Sequence, residues 1–139
     1  MTLTRRSVLL TFPLAAGAAA LGANNELIAS FAKTFAELPA RSNGTNTFRP
    51  ILDGMTSSGD HIVVHETTLA PGTSPHPPHR HRHEELFLMI RGQLAVTVEG
   101  NTSVIGPGGA AYVSSNQLHG AHNPGSEPAQ YFVVATGVS

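Results

Sequence analysis

The chain has 139 residues and no cysteine. Disulfides, thiolate metal ligands and cysteine nucleophiles are therefore excluded, and the fold must be held by its own core or by a partner subunit. No lysine stands on any predicted strand, and Ser114 and Ser115 have no evident Asp–His relay. An excess of basic charge is missing too: eight Lys and Arg face nine Asp and Glu, which leaves nothing to suggest a nucleic-acid partner. There is no internal repeat, and no helical period longer than a turn appears after Leu38. The longest apolar run, from about Val8 to Ala23, is about sixteen residues, short of the roughly 20 that a spanning helix needs.

That run has another use. Arg5-Arg6 precedes it, and Ala18-Ala19-Ala20 or Ala20-Leu21-Gly22 offers small residues at cleavage spacing. A basic start, a short apolar stretch and small residues describe an export signal over 1–23, and the arginine pair after Thr4 is similar to the twin-arginine type. Val8 and Leu10 stand where that pattern usually has Phe and often has Lys. The expectation is a periplasmic or secreted protein with no membrane segment after processing. Without Arg5 and Arg6, six basic side chains face nine acidic ones, so the mature part is mildly acidic.

Leu27, Ile28, Phe31, Phe35 and Leu38 recur at helical spacing, so Asn24–Pro39 is predicted to be an amphipathic helix stopped before Pro39. Arg41–Asn46 is a polar loop, which makes 24–46 helix plus linker and 47–139 the domain proper. There the pattern turns to short β-rich runs: Phe48–Leu52, His61–Leu69, Glu85–Arg91, Gln93–Glu99, Thr102–Ile105, Ala110–Val113 and Gln130–Thr136. Gly92 and Gly100-Asn101 stand where tight turns are needed. Many short strands with frequent turns indicate an all-β sandwich or small barrel.

Leu86–Ile90 is apolar on both alternating faces. Phe87 and Met89 share parity with Glu85 and point to the interior, whereas Leu86, Leu88 and Ile90 face outward and need cover, from the Phe31/Phe35 helix or from a second copy. The expected assembly is a homodimer.

Chemistry concentrates in His76-Pro-Pro-His79-Arg-His81-Arg-His83-Glu84-Glu85. Imidazole nitrogen with carboxylate oxygen suits one divalent transition metal, Mn, Fe, Ni, Cu or Zn, rather than Ca or Mg. One ion cannot take all these groups, and a site closed by a single segment is poorly fixed, so a distant ligand is required; His119 is the candidate.

Two motifs here resemble those of the cupin superfamily. His79-Arg-His81, three residues, Glu85, six residues and Gly92 match its first motif; Pro107-Gly108-Gly109 followed by His119-Gly-Ala-His-Asn123 matches its second. Gly72 lies six rather than five residues before His79, Gly109 replaces a frequent Asp, and Ser114-Ser115-Asn116 replaces a usual Pro-Pro-Gly. The resemblance covers about residues 60–135. It implies a jelly-roll barrel of two antiparallel sheets, close to the small single-domain type 2 barrels, with His79, His81, Glu85 and His119 on one metal ion and two positions left for water, dioxygen or substrate.

His83 and His76 are then extra, His83 as a neighbouring imidazole or a ligand in place of His79, His76 as an exposed loop residue. Glu85 is a candidate base or shiftable ligand, and His122 is either an acid–base group near the metal or an exposed turn residue. Arg80 and Arg82 either draw an anionic substrate or stand outward in solvent. Gln130 and Tyr131 are candidates to reach the cavity. Phe87, Met89, Val96, Val98, Val113 and Phe132 predict a largely apolar interior, which favours a partly apolar small-molecule substrate. The expected function is a metal-dependent dioxygenase; an isomerase or decarboxylase of the same fold, or a non-catalytic exported metal or ligand binder, is the alternative.

Overall fold

The computed structural model describes residues 25–138. The export-signal expectation falls on 1–23, outside the described residues. Nine strands follow in order: β1 (Arg41–Ser42), β2 (Thr47–Met55), β3 (His61–Leu69), β4 (Glu84–Arg91), β5 (Leu94–Val98), β6 (Asn101–Ile105), β7 (Ala110–Val113), β8 (His119–His122) and β9 (Ala129–Thr136). They form two antiparallel sheets, one ordered β1-β2-β3-β9-β4-β7 and the other β6-β5-β8.

Alternation decides which side chains meet between the sheets. On β9, Ala129, Tyr131, Val133 and Ala135 are buried while the residues between them are partly exposed. On β4, Phe87 and Met89 are buried while Leu88 and Ile90 face out, as their parity with Glu85 required. Leu69, Leu94, Val96, Val113 and Tyr131 join them in one core. At about 1.5–3 kcal/mol for each fully buried large apolar side chain, this layer is the main favourable term. Phe132, expected inside, pairs with Glu66 and Leu88 on the outward parity of the large sheet, and Tyr131 takes the inward place.

Among the described residues there is no α-helix, which corrects the expectation for 24–39. Only a 3-10 turn, Phe35–Glu37, forms there, capped by Thr34 and Glu37 (Thr34 N to Glu37 Oε2, 2.7 Å). The segment ahead of it is drawn out along β2: Ile28 N donates to Met55 O (2.9 Å) and Met55 N to Glu26 O (2.8 Å). A lone helix of this length gains little without a surface for its apolar stripe, whereas the free edge of β2 supplies backbone partners at once. Gly54 permits the approach, because a Cβ there would stand 2.6 Å from Glu26 O. Phe35 then lies against the Arg49 guanidinium, 4.5 Å from ring centre, over the Arg49–Glu66 ion pair (2.9 Å). Glu66 is fully buried on the outward face of β3, shielded by Arg49.

The β5–β6 turn is also shifted by one residue. Val98 pairs with Asn101, so the central pair is Glu99-Gly100, both at positive φ (47° and 82°).

Candidate metal centre

The motif residues converge from three places. His79 and His81 lie on the loop before β4, Glu85 is the second residue of β4, and His119 opens β8. His79 and His119 exchange both backbone hydrogen bonds (2.9 and 3.0 Å), and Asn116 N donates to His81 O at 2.7 Å. Short polar β8 was not among the predicted strands; its pairing with β5 and with His79 makes it one.

The three rings are tilted or T-shaped to one another, centroids 4.9 Å apart for His79–His81 and His79–His119 and 4.6 Å for His81–His119. Hydrogen bonding sets the tautomers of two of them. His81 Nδ1 donates to the His83 carbonyl (2.9 Å) and His119 Nδ1 to the Gln117 carbonyl (2.8 Å), which leaves each Nε2 with its lone pair free. The Nε2 atoms of His79, His81 and His119 are buried without a hydrogen-bond partner. Three buried ring nitrogens this close together, at least two of them acceptors, are costly unless something electron-poor sits between them. The three residues offer ligand atoms within 4.8 Å of one another, so the donor set fits a divalent metal ion.

Glu85 stands beside this group. Its Oε1 is 3.4 Å from His81 Nε2 and from His83 Nε2, and its Oε2 is 3.4 Å from His119 Nε2. Burial alone would raise its carboxyl, but wherever His119, His81 or His83 is protonated its Nε2–H faces Glu85 and outweighs burial, holding the carboxyl well below the usual range. His79 is pulled down to about 4 by burial and then by His76, His119 and His81, so it is neutral and ready to ligate. His119 goes the other way: burial lowers it, yet Glu85 and the Gln117 carbonyl raise it more.

His83 is buried and stacks on His81 (centroids 3.4 Å, planes 8° apart). It forms an alternative group with His81 and Glu85. His76 is half-buried rather than exposed, stacked on His79 at 4.1 Å. His122 is not brought to the centre: it is exposed on β8, its Nδ1 3.1 Å from Ser74 Oγ, while its neighbour Ala121 faces in.

Arg80 is not free in solvent. It forms a two-pronged pair with Glu99 (Nη2 to Oε2, 3.2 Å) and donates to Asn116 O at 2.8 Å; Glu99 also accepts from Leu118 N at 2.6 Å. One exposed clamp thus joins the residue between two ligands to the segment leading into the fourth. Arg82 is exposed.

Deeper ties hold the ligand loop. Asn123, fully buried, donates through Nδ2 to Leu69 O (3.0 Å) and Glu127 O (2.8 Å), and its backbone bonds Gly72 and Thr73. Asn46 Oδ1 accepts from Ala70 N (2.9 Å) and Thr73 Oγ1 (3.0 Å).

Glu85 and His119 form one side of a cavity whose other walls include Phe87, Ala121 and Val133. Phe48, His65, Thr67 and Tyr131 also line it. Of these, sequence reasoning missed His65 and Thr67; the available signal was two polar residues at odd positions of β3, in step with buried Val63 and Leu69.

Residues 65–135 match the Cupin_2 family model, a cupin domain. Over 80 residues, 58% of this chain, there is 26% identity to mannose-1-phosphate guanylyltransferase of Escherichia coli (strain K12); the match spans 17% of the length of that protein. Among solved structures, an RmlC-like cupin from Shewanella frigidimarina NCIMB 400 superposes with a TM-score of 0.66 at 16% identity, covering 78% of this chain and 91% of that one. A predicted oxalate decarboxylase from Thermotoga maritima gives 0.62 at 17% identity (76% and 97%). The polyketide cyclase RemF from Streptomyces resistomycificus gives 0.60 at 23% identity (78% and 80%). At these identities the structures establish the shared fold.

Proposed function

This chain belongs to the cupin family, and on that footing we propose that it is an exported metalloenzyme of dioxygenase type, holding one divalent transition metal on His79, His81, Glu85 and His119. The observation that carries the reading is the set of three buried, unpartnered imidazole nitrogens beside an ionised carboxylate. A bound ion supplies Lewis acidity, open coordination positions and, where redox-active, electron exchange with dioxygen. The chain's own part is positional. Carbonyls of His83 and Gln117 orient two ligand rings, Glu85 stays ionised between them, and Phe87, Ala121 and Val133 offer a substrate an apolar, water-poor wall. Such a wall favours a partly apolar small molecule over a bare sugar.

Export through a twin-arginine route carries folded protein, so the ion would be inserted in the cytoplasm, where Mn or Fe need not compete with Cu or Zn for a nitrogen–oxygen site. Leu88, Ile90 and Tyr112 lie exposed on the outer face of β4 and β7, and a second copy of the chain is the proposed cover.

The test has two stages. Metal content of protein from its native compartment, weighed by mass spectrometry, should show one transition metal per chain, lost on joint His81→Ala and His119→Ala substitution; a loaded double variant overturns the site. Oxygen uptake with catechols or flavonols should then exceed that of the free metal. Uptake no faster than free metal across the panel removes the dioxygenase reading and leaves a metal-dependent binder.

A further inference from the structure

Three polar side chains stand on the large-sheet wall of the cavity without belonging to the metal set. His65 and Thr67 share the inward face of β3, and Tyr131 of β9 lies directly across from Thr67 in register. Thr67 is 4% exposed and Tyr131 1%. Polar groups this deep are costly unless bonded. Thr67 Oγ1 is 3.3 Å from His65 Nδ1, and Tyr131 is the cross-strand neighbour of Thr67. Phe48, its ring 4.6 Å from that of His65 and tilted 43°, flanks the imidazole from β2.

Burial pushes the Tyr131 phenol up, so it keeps its proton and has it available for Thr67. In that arrangement Thr67 gives its own hydrogen to His65 Nδ1. Burial pulls His65 down to about 4, against an upward pull from Glu85 and with a further downward push from His76, so the ring is neutral at neutral pH. A neutral imidazole that accepts at Nδ1 carries its proton on Nε2. Run in this order, the relay Tyr131–Thr67–His65 ends in an N–H donor with no acceptor left inside the relay.

We propose that the relay runs in this order and that His65, backed by Thr67 and Tyr131, is a substrate-recognition point that binds an acceptor oxygen, such as a carbonyl or carboxylate, on an otherwise apolar ligand. It rests on the reading that a small molecule occupies the cavity beside the metal. A pocket built to bond such an oxygen discriminates against the analogue lacking it, because the donor is left buried and unmet.

Two probes separate the claims: catechol, which offers only a chelating oxygen pair, and 3,4-dihydroxybenzaldehyde, which adds a carbonyl acceptor. Each is titrated into zinc-loaded, 15N-labelled protein, with affinity and the imidazole resonances of His65 as readouts. The expected result is His65 in the Nε2–H form, the aldehyde bound about tenfold more tightly than catechol, and an Nε2 shift specific to the aldehyde. His65→Phe should equalise the two affinities at unchanged zinc content, and His65→Gln, which keeps a donor, should retain part of the preference. Equal affinities in the unmodified protein, an Nδ1–H tautomer, or a preference that survives His65→Phe in protein of normal zinc content overturns the recognition point, while catechol binding still supports the metal-and-cavity reading. Failure of both probes to bind overturns both. If His65→Phe does not fold, Thr67→Val breaks the same relay from its other end, and an unchanged preference there counts against the proposal.

Discussion

Individual side chains at the centre act by fixing protonation and direction. His65 and His79 sit at about 4 in the folded protein against an ordinary 6.5. Between those values the unfolded chain binds more protons, so stability rises with pH there; it is fully present above about 6.5 and lost as pH falls towards 4. For His65 the loss is at most about 3 kcal/mol. Glu85, held below its ordinary 4.5, adds a further loss below that value. Thermal unfolding of metal-free protein from pH 8 to 4 should show this decline, and His65→Phe should reduce it; an unfolding temperature flat across the window contradicts the assignment. Metal occupancy should fall in the same direction, because Glu85 and the Gln117 carbonyl raise His119 and so help its proton compete with the ion as pH drops. The Arg80–Glu99 clamp makes a separate prediction. Arg80→Ala should weaken metal binding about tenfold, in line with other residues that orient ligands, while the unfolding temperature of the metal-free protein barely moves. Competition with a chelator measures the first, and unchanged affinity would show the clamp to be ornamental to the site.

At the level of elements, the loop between β3 and β4 carries two candidate ligands without regular structure of its own, and it is held by buried amides. Asn123→Ala would strand the buried Leu69 carbonyl and release that of Glu127, with an expected cost of about 1–3 kcal/mol and weaker metal binding, checked by denaturant unfolding with and without metal. Gly92, which closes the first motif, stands at φ 74° with Pro128 O only 2.4 Å from where a Cβ would be. Gly92→Ala should therefore be more damaging than its surface position suggests, and a stability change below about 0.5 kcal/mol would contradict the close approach. Both residues were legible as motif positions, but their reasons were not, since each depends on a segment distant in sequence. The stretch 24–39 shows the opposite failure. Its helical spacing was real, yet helix formation depends on a surface to pack against, and the open edge of β2 competed for the same backbone.

For the whole molecule, the question is what meets the outer face of the large sheet. Leu88, Ile90 and Tyr112 are 39%, 41% and 55% exposed there, and the helix that was one expected cover does not form. A homodimer is expected by light scattering at micromolar concentration; Leu88→Arg with Ile90→Arg should shift it to monomer, and a monomeric unmodified protein rules out this cover. The sequence by itself determined the all-β pattern, the strand parity of β4 and which residues are candidates to hold a metal, because alternation and motif spacing are local properties of the chain. Only the tertiary structure decided that Tyr131 rather than Phe132 faces inward, that His122 leaves the centre while His76 stacks on it, that Arg80 is a clamp, and that His65 shares a cavity with Glu85. Each of those depends on which strands become neighbours and in what register, and pairing across tens of residues is set by the packing of the whole barrel.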